Sequence, residues 1–369
     1  MGMNLESYRL LGRSGLRVSP LALGTMTFGD VWGWGADENE SRKMFDTYVE
    51  RGGNFIDTAN TYTEGEAERL LGKFAKDFGR ERLVIATKYT LATRPGDPNS
   101  GGNHRKSMVR SVEASLERLQ TDFIDLLYLH AWDGTAPVEE ILRAMDDLVR
   151  AGKVLYVGIS DAPAWQVARM QAIADLRGWS PLVALQIPYN LVERTVEREL
   201  IPMAREMGLG VIPWSPLASG VLTGKYSRAD LDIGDGTASP AGTRKNVAAA
   251  NGMLHERGLD IAEAVRAVAT EMDESPARVA IAWDIAQPGR DRTHRRGPDR
   301  RTARGQPGRA RRQLHGGAAG TARSRQRHRT RVPPRFPRAA AGAPGDDRRS
   351  RDSSTGVKGS PPSPIDGVA

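Results

Sequence analysis

The sequence contains no cysteine, which excludes disulfides, thiolate nucleophiles and cysteine-held metals. No apolar run approaches the roughly 20 residues that cross a bilayer, and no leader-like segment opens the chain. A soluble, cytoplasmic protein with no membrane partner is therefore expected. No GxGxxG follows any apolar run, so the usual fingerprint of an open dinucleotide-binding sheet is missing. No metal site is expected. Glutamate is absent from residues 290–369, which hold 20 Arg, one Lys and six Asp, a net charge of +15. The overall +8 thus conceals a body, residues 1–289, with 32 basic and 39 acidic side chains, a net −7. The same tail has one Leu, one Ile, one Phe and three Val. Such a segment cannot bury enough surface to offset its ordering entropy, and it is expected to be disordered.

What is present is organised around residues 54–62, NFIDTANTY. Gly52 and Gly53 stop a preceding helix. Phe55 and Ile56 form a short buried strand that runs into Asp57, and Tyr62 follows in the loop. The next stretch places Leu70, Leu71 and Phe74 on one helical face. An acid and a phenol five residues apart beyond a strand end suggest a proton-transfer pair, because chemistry in β/α proteins collects at the C-terminal ends of strands.

Taken in order, residues 8–21 alternate around Ser14-Gly15 and read as a β-hairpin that plugs the bottom of the fold built by the later residues. LALGTM (21–26) reads as a strand, with Gly24, Thr25 and Met26 at its end. A Gly- and Trp-rich loop covers 28–37, and Asp37 is a plausible N-cap for the next helix. Strands are expected over 82–88, 123–130, 154–160, 182–190 and 208–216, with helices over 105–119, 138–150, from 163 onward and over 195–207. Near-continuous apolar strands alternating with helices imply a parallel sheet covered on both faces, an α/β protein. An open doubly wound sheet or a (β/α)8 TIM barrel would fit. The spacing of about 30 residues per unit favours the barrel. Two helices over 258–272 and 275–289 follow, but the eighth strand and last helix that should close the barrel are missing or disrupted. The expected organisation is a barrel over 1–289 and a disordered basic tail over 290–369.

Asp57, Tyr62, Lys88 and His130 fall at or just beyond the ends of successive strands. Alone, each has a bland explanation: a helix cap, a packed ring, a solvated strand end, a satisfied core histidine. Barrel geometry brings all four to one mouth. With RLLGRSGLRVSPLALGTMTFG, GGNFIDTANTY, VIATKY, DLLYLH, GKVLYVGIS, LQIPYNL and VIPWSPLASGVLTGKY in this order over residues 8–226, the chain resembles the aldo-keto reductases, NADPH-dependent barrels.

The resemblance implies that Asp57, Tyr62, Lys88 and His130 are the family's catalytic tetrad. It also implies reduction of a small-molecule carbonyl, an aldehyde or ketone, to an alcohol. Carbonyl reduction needs a hydride on carbon and a proton on oxygen. Tyr62 can supply the proton, but an ordinary phenol has a pKa near 10. An ammonium at Lys88, held charged by Asp57, would lower it, and His130 could donate to the carbonyl oxygen. The residues alone do not divide the work between Tyr62 and His130.

For the cofactor, the resemblance assigns Ser160 and Gln186 to the nicotinamide carboxamide, and Asp161 where the family usually has Asn. A carboxylate cannot donate as an amide does. It assigns Trp214 to stacking, and Ser215, Pro216, Leu217, Gly220, Leu222 and Lys225 to the loop crossing the pyrophosphate. Gly24, Thr25, Met26 and Asp57 lie beneath the nicotinamide. Which carbonyl is reduced and which oligomer forms are open at this stage.

The family's 2′-phosphate motif, like GARTxxQLxxNL, is absent, so preference for NADPH over NADH is open too. The tail's excess of Arg over Lys is what GC-rich codons yield out of frame. Shifted by one base, the Asp299/Arg300 junction allows only Ile or Thr, and Gln306/Pro307 allows Asn or Ser. The stretch then admits VVTAPIVGARTVEQLEDNL. A frameshift close to Gly289 is therefore expected, which would leave an impaired reductase. The alternative function is polyanion or nucleic-acid binding through the Arg-rich tail, disfavoured because only Phe336 offers a ring for base stacking.

Overall fold

A computed structural model of the protein describes residues 4–231 and 244–287. The chain opens with an antiparallel hairpin of β1 (Arg9–Leu10) and β2 (Arg17–Val18). Then come β3 (Leu23–Gly24), α1 (Glu38–Glu50), β4 (Phe55–Asp57), α2 (Glu66–Phe78), β5 (Val84–Tyr89), α3 (Arg105–Leu119), β6 (Ile124–Leu129) and α4 (Val138–Arg150). They are followed by β7 (Val154–Ser160), α5 (Ala164–Arg177), β8 (Leu182–Pro188), α6 (Leu200–Met207) and β9 (Gly210–Trp214). The described residues end with α7 (Arg244–Ala250), α8 (Glu256–Glu271) and α9 (Pro276–Ile285).

Strands β3 to β9 form one parallel sheet in chain order. A doubly wound sheet reverses direction at a switch point; this one never does, so each crossover advances the sheet the same way. The sheet also curls. Gln186 on β8 hydrogen-bonds Asp57 on β4 at 2.8 Å, although β5, β6 and β7 lie between them. On a flat sheet four strand spacings would separate them by about 19 Å. This is the curl of a (β/α)8 barrel.

Every residue of β5 and β6 is buried, as strands covered on both faces require. Two apolar clusters account for that. One lies between sheet and helices and includes Leu70, Leu71 and Phe74. The other joins Leu11 and Val18 of the hairpin to Phe55, Val84, Ala86, Leu126, Tyr128, Val183 and Ala184. The hairpin is thus the plug expected from the sequence. It seats closely because Gly12, at φ +56°, has no Cβ; one would lie 2.2 Å from the Val183 carbonyl oxygen. Inside the sheet, Gly158 leaves room for the Tyr128 ring, which a Cβ would approach to 2.7 Å.

Three local readings need adjustment. The strand expected over 21–26 shortens to β3, because the Leu21 carbonyl accepts hydrogen bonds from the Ser19 and Tyr48 hydroxyls instead of entering the ladder. The helix expected over 195–207 is a 3₁₀ turn, Thr195–Glu197, followed by α6. Pro202 lacks an N–H and is tolerated only in a first turn, so α6 begins just ahead of it. Helix α7 has no counterpart among the expected helices. Asp37 does cap α1, accepting from the Glu40 amide at 2.8 Å. Among the described residues no helix is long and apolar enough to cross a membrane. The eighth strand, the boundary after residue 289 and the tail's expected disorder lie outside the described residues.

Candidate active site

Strand ends set the site. Asp57 ends β4 and pairs with Gly24 on one side and Ala86 on the other. The Thr25 amide and hydroxyl both donate to the Asp57 carbonyl, at 2.9 and 3.1 Å. Lys88, near the end of β5, is fully buried. Its ammonium donates to Asp57 Oδ2 at 2.6 Å, the Thr58 carbonyl at 2.8 Å and the Tyr62 hydroxyl at 3.1 Å. Three acceptors satisfy all three N–H bonds, the arrangement that lets a charge persist in a buried place.

Tyr62 owes its position to an unusual backbone. Thr63 and Glu64 adopt φ of +46° and +57°, and Gly65 follows at +85°. A β-branched residue in that region is strained and persists only where its surroundings over-determine it. Thr63 meets the condition: it is buried, its hydroxyl donates to the Phe28 carbonyl at 2.6 Å, and it accepts from the Ala67 amide at 3.0 Å. His130, just past β6, forms a T-shaped ring pair with Tyr62, centroids 5.9 Å apart.

The electrostatics differ among the four. Burial alone would depress the Lys88 ammonium, but Asp57 and Tyr62 outweigh it and hold the pKa above its ordinary value. Burial raises the Tyr62 phenol, and the opposing pull of Lys88 is too weak to reverse that. The downward tuning expected from Lys88 is present as a component, but desolvation exceeds it. Burial and then Lys88 push His130 down to about 3, so its imidazole is neutral at physiological pH.

The residues that the resemblance assigned to a cofactor fall into two groups. Ser160 and Gln186 are buried, paired neighbours at the ends of β7 and β8. Gln186 Nε2 donates to Asp57 Oδ1, a link between cofactor and catalytic candidates that sequence spacing gave no sign of. Asp161 follows Ser160 in a left-handed conformation, φ +42°. Its amide donates to the Gln186 carbonyl, its carbonyl accepts from the Trp132 amide, and its carboxylate accepts from Trp214 Nε1 at 3.0 Å. Burial raises that carboxyl to about 6 against the pull of Trp214 and Lys88.

The second group is a compact loop beyond β9. Ser215, Ala218 and Ser219 all have positive φ, and the Ser215 hydroxyl accepts from the Ser219 amide at 2.8 Å. Asn190 holds it by donating to the Ser215 carbonyl at 3.0 Å. Pro216 and Leu217 are half-buried in this loop. Gly220, at φ +97°, lies against the Lys225 side chain. Leu222 is fully buried in the core, so its side chain is packing. Gly24 and Met26 flank buried Thr25 at the end of β3. Two further residues, Thr90 and Asn103, escaped the sequence reading because neither ends a strand as an isolated polar residue.

Comparison with known proteins agrees with this geometry. The chain is 45% identical over 226 residues to a norsolorinic acid reductase of Aspergillus flavus, 58% of each chain being covered. The chain therefore spans about three-fifths of the length of that relative. It is 39% identical over 292 residues to an uncharacterized oxidoreductase, YrpG, of Bacillus subtilis, covering 76% of this chain and 84% of the relative. It is 36% identical over 283 residues to an aryl-alcohol dehydrogenase [NADP(+)] of Phanerodontia chrysosporium, covering 73% and 72%. The model of the Aldo/keto reductase family matches residues 20–293, and with seven parallel strands delivering Asp57, Tyr62, Lys88 and His130 to one end of a curled sheet, the chain belongs to that family.

Proposed function

We propose that the protein reduces an aldehyde or ketone to an alcohol using NADPH, with Tyr62 as the general acid. The observation that carries the reading is the buried Lys88 ammonium bonded at once to Asp57, the Thr58 carbonyl and the Tyr62 hydroxyl. A bound nicotinamide supplies the hydride. The residues fit such a group by the chemistry of their donors. Ser160 offers a hydroxyl, and Gln186, having given one amide hydrogen to Asp57, retains another and its Oε1 for a carboxamide. Trp214 offers an indole face, and the 215–225 loop supplies hydroxyls and the Lys225 ammonium for phosphates.

In this reading Tyr62, kept protonated by burial, delivers its proton to the carbonyl oxygen as negative charge develops there. Lys88 stabilises the phenolate that remains. His130, neutral, donates a hydrogen bond to the same oxygen. The relatives' names, an aryl-alcohol dehydrogenase among them, together with Trp32 and Trp34, 5.5 Å apart in the 28–36 loop, favour aromatic carbonyls. The loop is rooted beside Tyr62 through the bond between Thr63 and the Phe28 carbonyl.

Replacing Tyr62 by Phe should cut turnover by roughly 10²–10⁴-fold, the usual contribution of a positioned acid, with NADPH binding retained. Undiminished reduction in Tyr62→Phe would sink the assignment. The frameshift near Gly289 belongs to the same reading: the segment beyond it lacks the family's 2′-phosphate motif, and the chain as written should bind NADPH weakly. Resequencing across the Gly289 codon checks the frame. Equal NADPH affinity and equal melting temperature in written and frame-corrected chains would overturn it.

A further inference from the structure

His130 poses a positioning problem. Its Nδ1 is buried without a hydrogen-bond partner, and among the described residues the imidazole's one ring contact is a T-shaped one with Tyr62. A histidine that must aim an N–H usually has its other nitrogen fixed by a carbonyl or carboxylate. Among the described residues no hydrogen bond fixes Nδ1, so the aim of the ring depends on its packing and on the backbone beneath it. That backbone is held through the His130 amide, which donates to the Tyr89 carbonyl at 3.1 Å and approaches Thr90 Oγ1 at 3.3 Å.

Thr90 itself is strained, with φ +117° in a β-branched residue. Such a conformation persists only if its surroundings enforce it. The enforcing residue is Asn103, fully buried in the loop before α3. Its Nδ2 donates to Thr90 Oγ1 at 3.0 Å and to the Ala131 carbonyl at 2.9 Å. Its Oδ1 accepts from the Asp133 amide at 2.9 Å. Its own amide donates to Asp133 Oδ2 at 2.7 Å, and its carbonyl accepts from the Tyr89 hydroxyl at 3.2 Å. Next to it, the Gly102 amide donates to the Thr90 carbonyl at 2.6 Å. Both Nδ2 protons of the Asn103 side chain and its Oδ1 are engaged. Its two protons go to the residue just after His130 and to the residue two beyond Lys88.

We propose that Asn103 is a positioning residue for the reaction: it clamps the ends of β5 and β6 together and thereby sets the distance and aim of His130 relative to Lys88 and Tyr62. The inference rests on the reductase reading for its catalytic consequence, but its structural consequence stands alone. An Asn is suited to the place because it offers two donors and one acceptor without charge. Aspartate, its isostere, would turn both donors into acceptors facing the Thr90 hydroxyl and the Ala131 carbonyl.

The test uses the full chain with ¹⁵N-labelled histidine. In the wild type the His130 imidazole should give one set of nitrogen resonances. In Asn103→Ala it should broaden or split while those of His255, the N-cap of α8, stay put. Turnover should fall by roughly 10²-fold, the scale of an ångström-level misplacement, with NADPH affinity unchanged within about twofold. In a His130→Ala background the same substitution should cost less than about twofold, because coupled residues are non-additive. Should Asn103→Ala not fold, Thr90→Val removes only the shared hydroxyl and is read the same way. An unchanged His130 spectrum, or an equal loss in both backgrounds, overturns the proposal. A frame-corrected chain that reduces no carbonyl overturns the reductase reading instead, and the imidazole spectrum still decides the role of Asn103.

Discussion

The two sides of the candidate site handle burial in opposite ways. On the β4–β5 side, Lys88 is fully buried yet holds its proton more tightly than a free lysine, because three acceptors surround the ammonium. On the β6–β7 side, His130 and Asp161 are also buried, but each lacks a strong counter-charge. Desolvation dominates there, driving His130 down to about 3 and Asp161 up to about 6, so each neutral form is favoured more than it would be in water. The same low-dielectric pocket therefore stabilises a charge or suppresses it according to how many hydrogen-bonding partners the backbone delivers.

The largest break in this contrast comes from Lys88→Met. It leaves Asp57 buried without its cation, a loss that costs about 3–5 kcal/mol when one member of a buried pair is removed. A drop in melting temperature with abolished turnover is expected, measured by calorimetry and by NADPH consumption. A variant as stable as the wild type would show that the network is dispensable. Next is Gln186→Met, which removes the bond across the sheet interior to Asp57. Loss of a hydrogen bond to a charged group costs about 1.5–3 kcal/mol, and chemical denaturation should show it. Cofactor affinity should fall in the same variant if Gln186 also meets the carboxamide.

Asp161→Asn sharpens the comparison with the opposite sign. The folded-state pKa of Asp161 is above its unfolded value, so the wild type loses stability as pH rises from about 4 through about 6. Above pH 6 the substitution should raise stability by on the order of 2 kcal/mol, and near pH 4 the gain should vanish. Trp214 can still donate to an asparagine oxygen. A pH-independent difference would show that Asp161 is not titrating. The smallest effect expected is none: His130 should show no protonation step between pH 5 and 9 by NMR, whereas an ordinary histidine titrates near 6.5.

Much of this was legible in the sequence. The strands announced themselves as apolar runs ending in single polar residues, and that punctuation located Asp57, Lys88 and His130. The start of α1 is readable from its N-cap signal at Asp37. Legibility failed where spacing carries no information about distance. Nothing in the sequence links Gln186 to Asp57, 129 residues earlier, because only the curl of the sheet brings them together. Asn103 sits in a loop of Gly, Asn and Pro that looks like filler. The sign of the Tyr62 shift was misjudged because charge neighbours can be inferred from motif order, whereas the depth of burial cannot.

The hairpin plug has a consequence for how the protein is made. Gly12 and Leu11 dock against Val183, Gly208 and Gly210, so the hairpin leaves the ribosome well before the residues that seat it. Contacts so distant in sequence slow folding, and at roughly 5–20 residues per second the N-terminal apolar residues stay uncovered for many seconds of synthesis. A chaperone that binds nascent apolar segments would find its target in the hairpin, well before the mouth of the sheet exists.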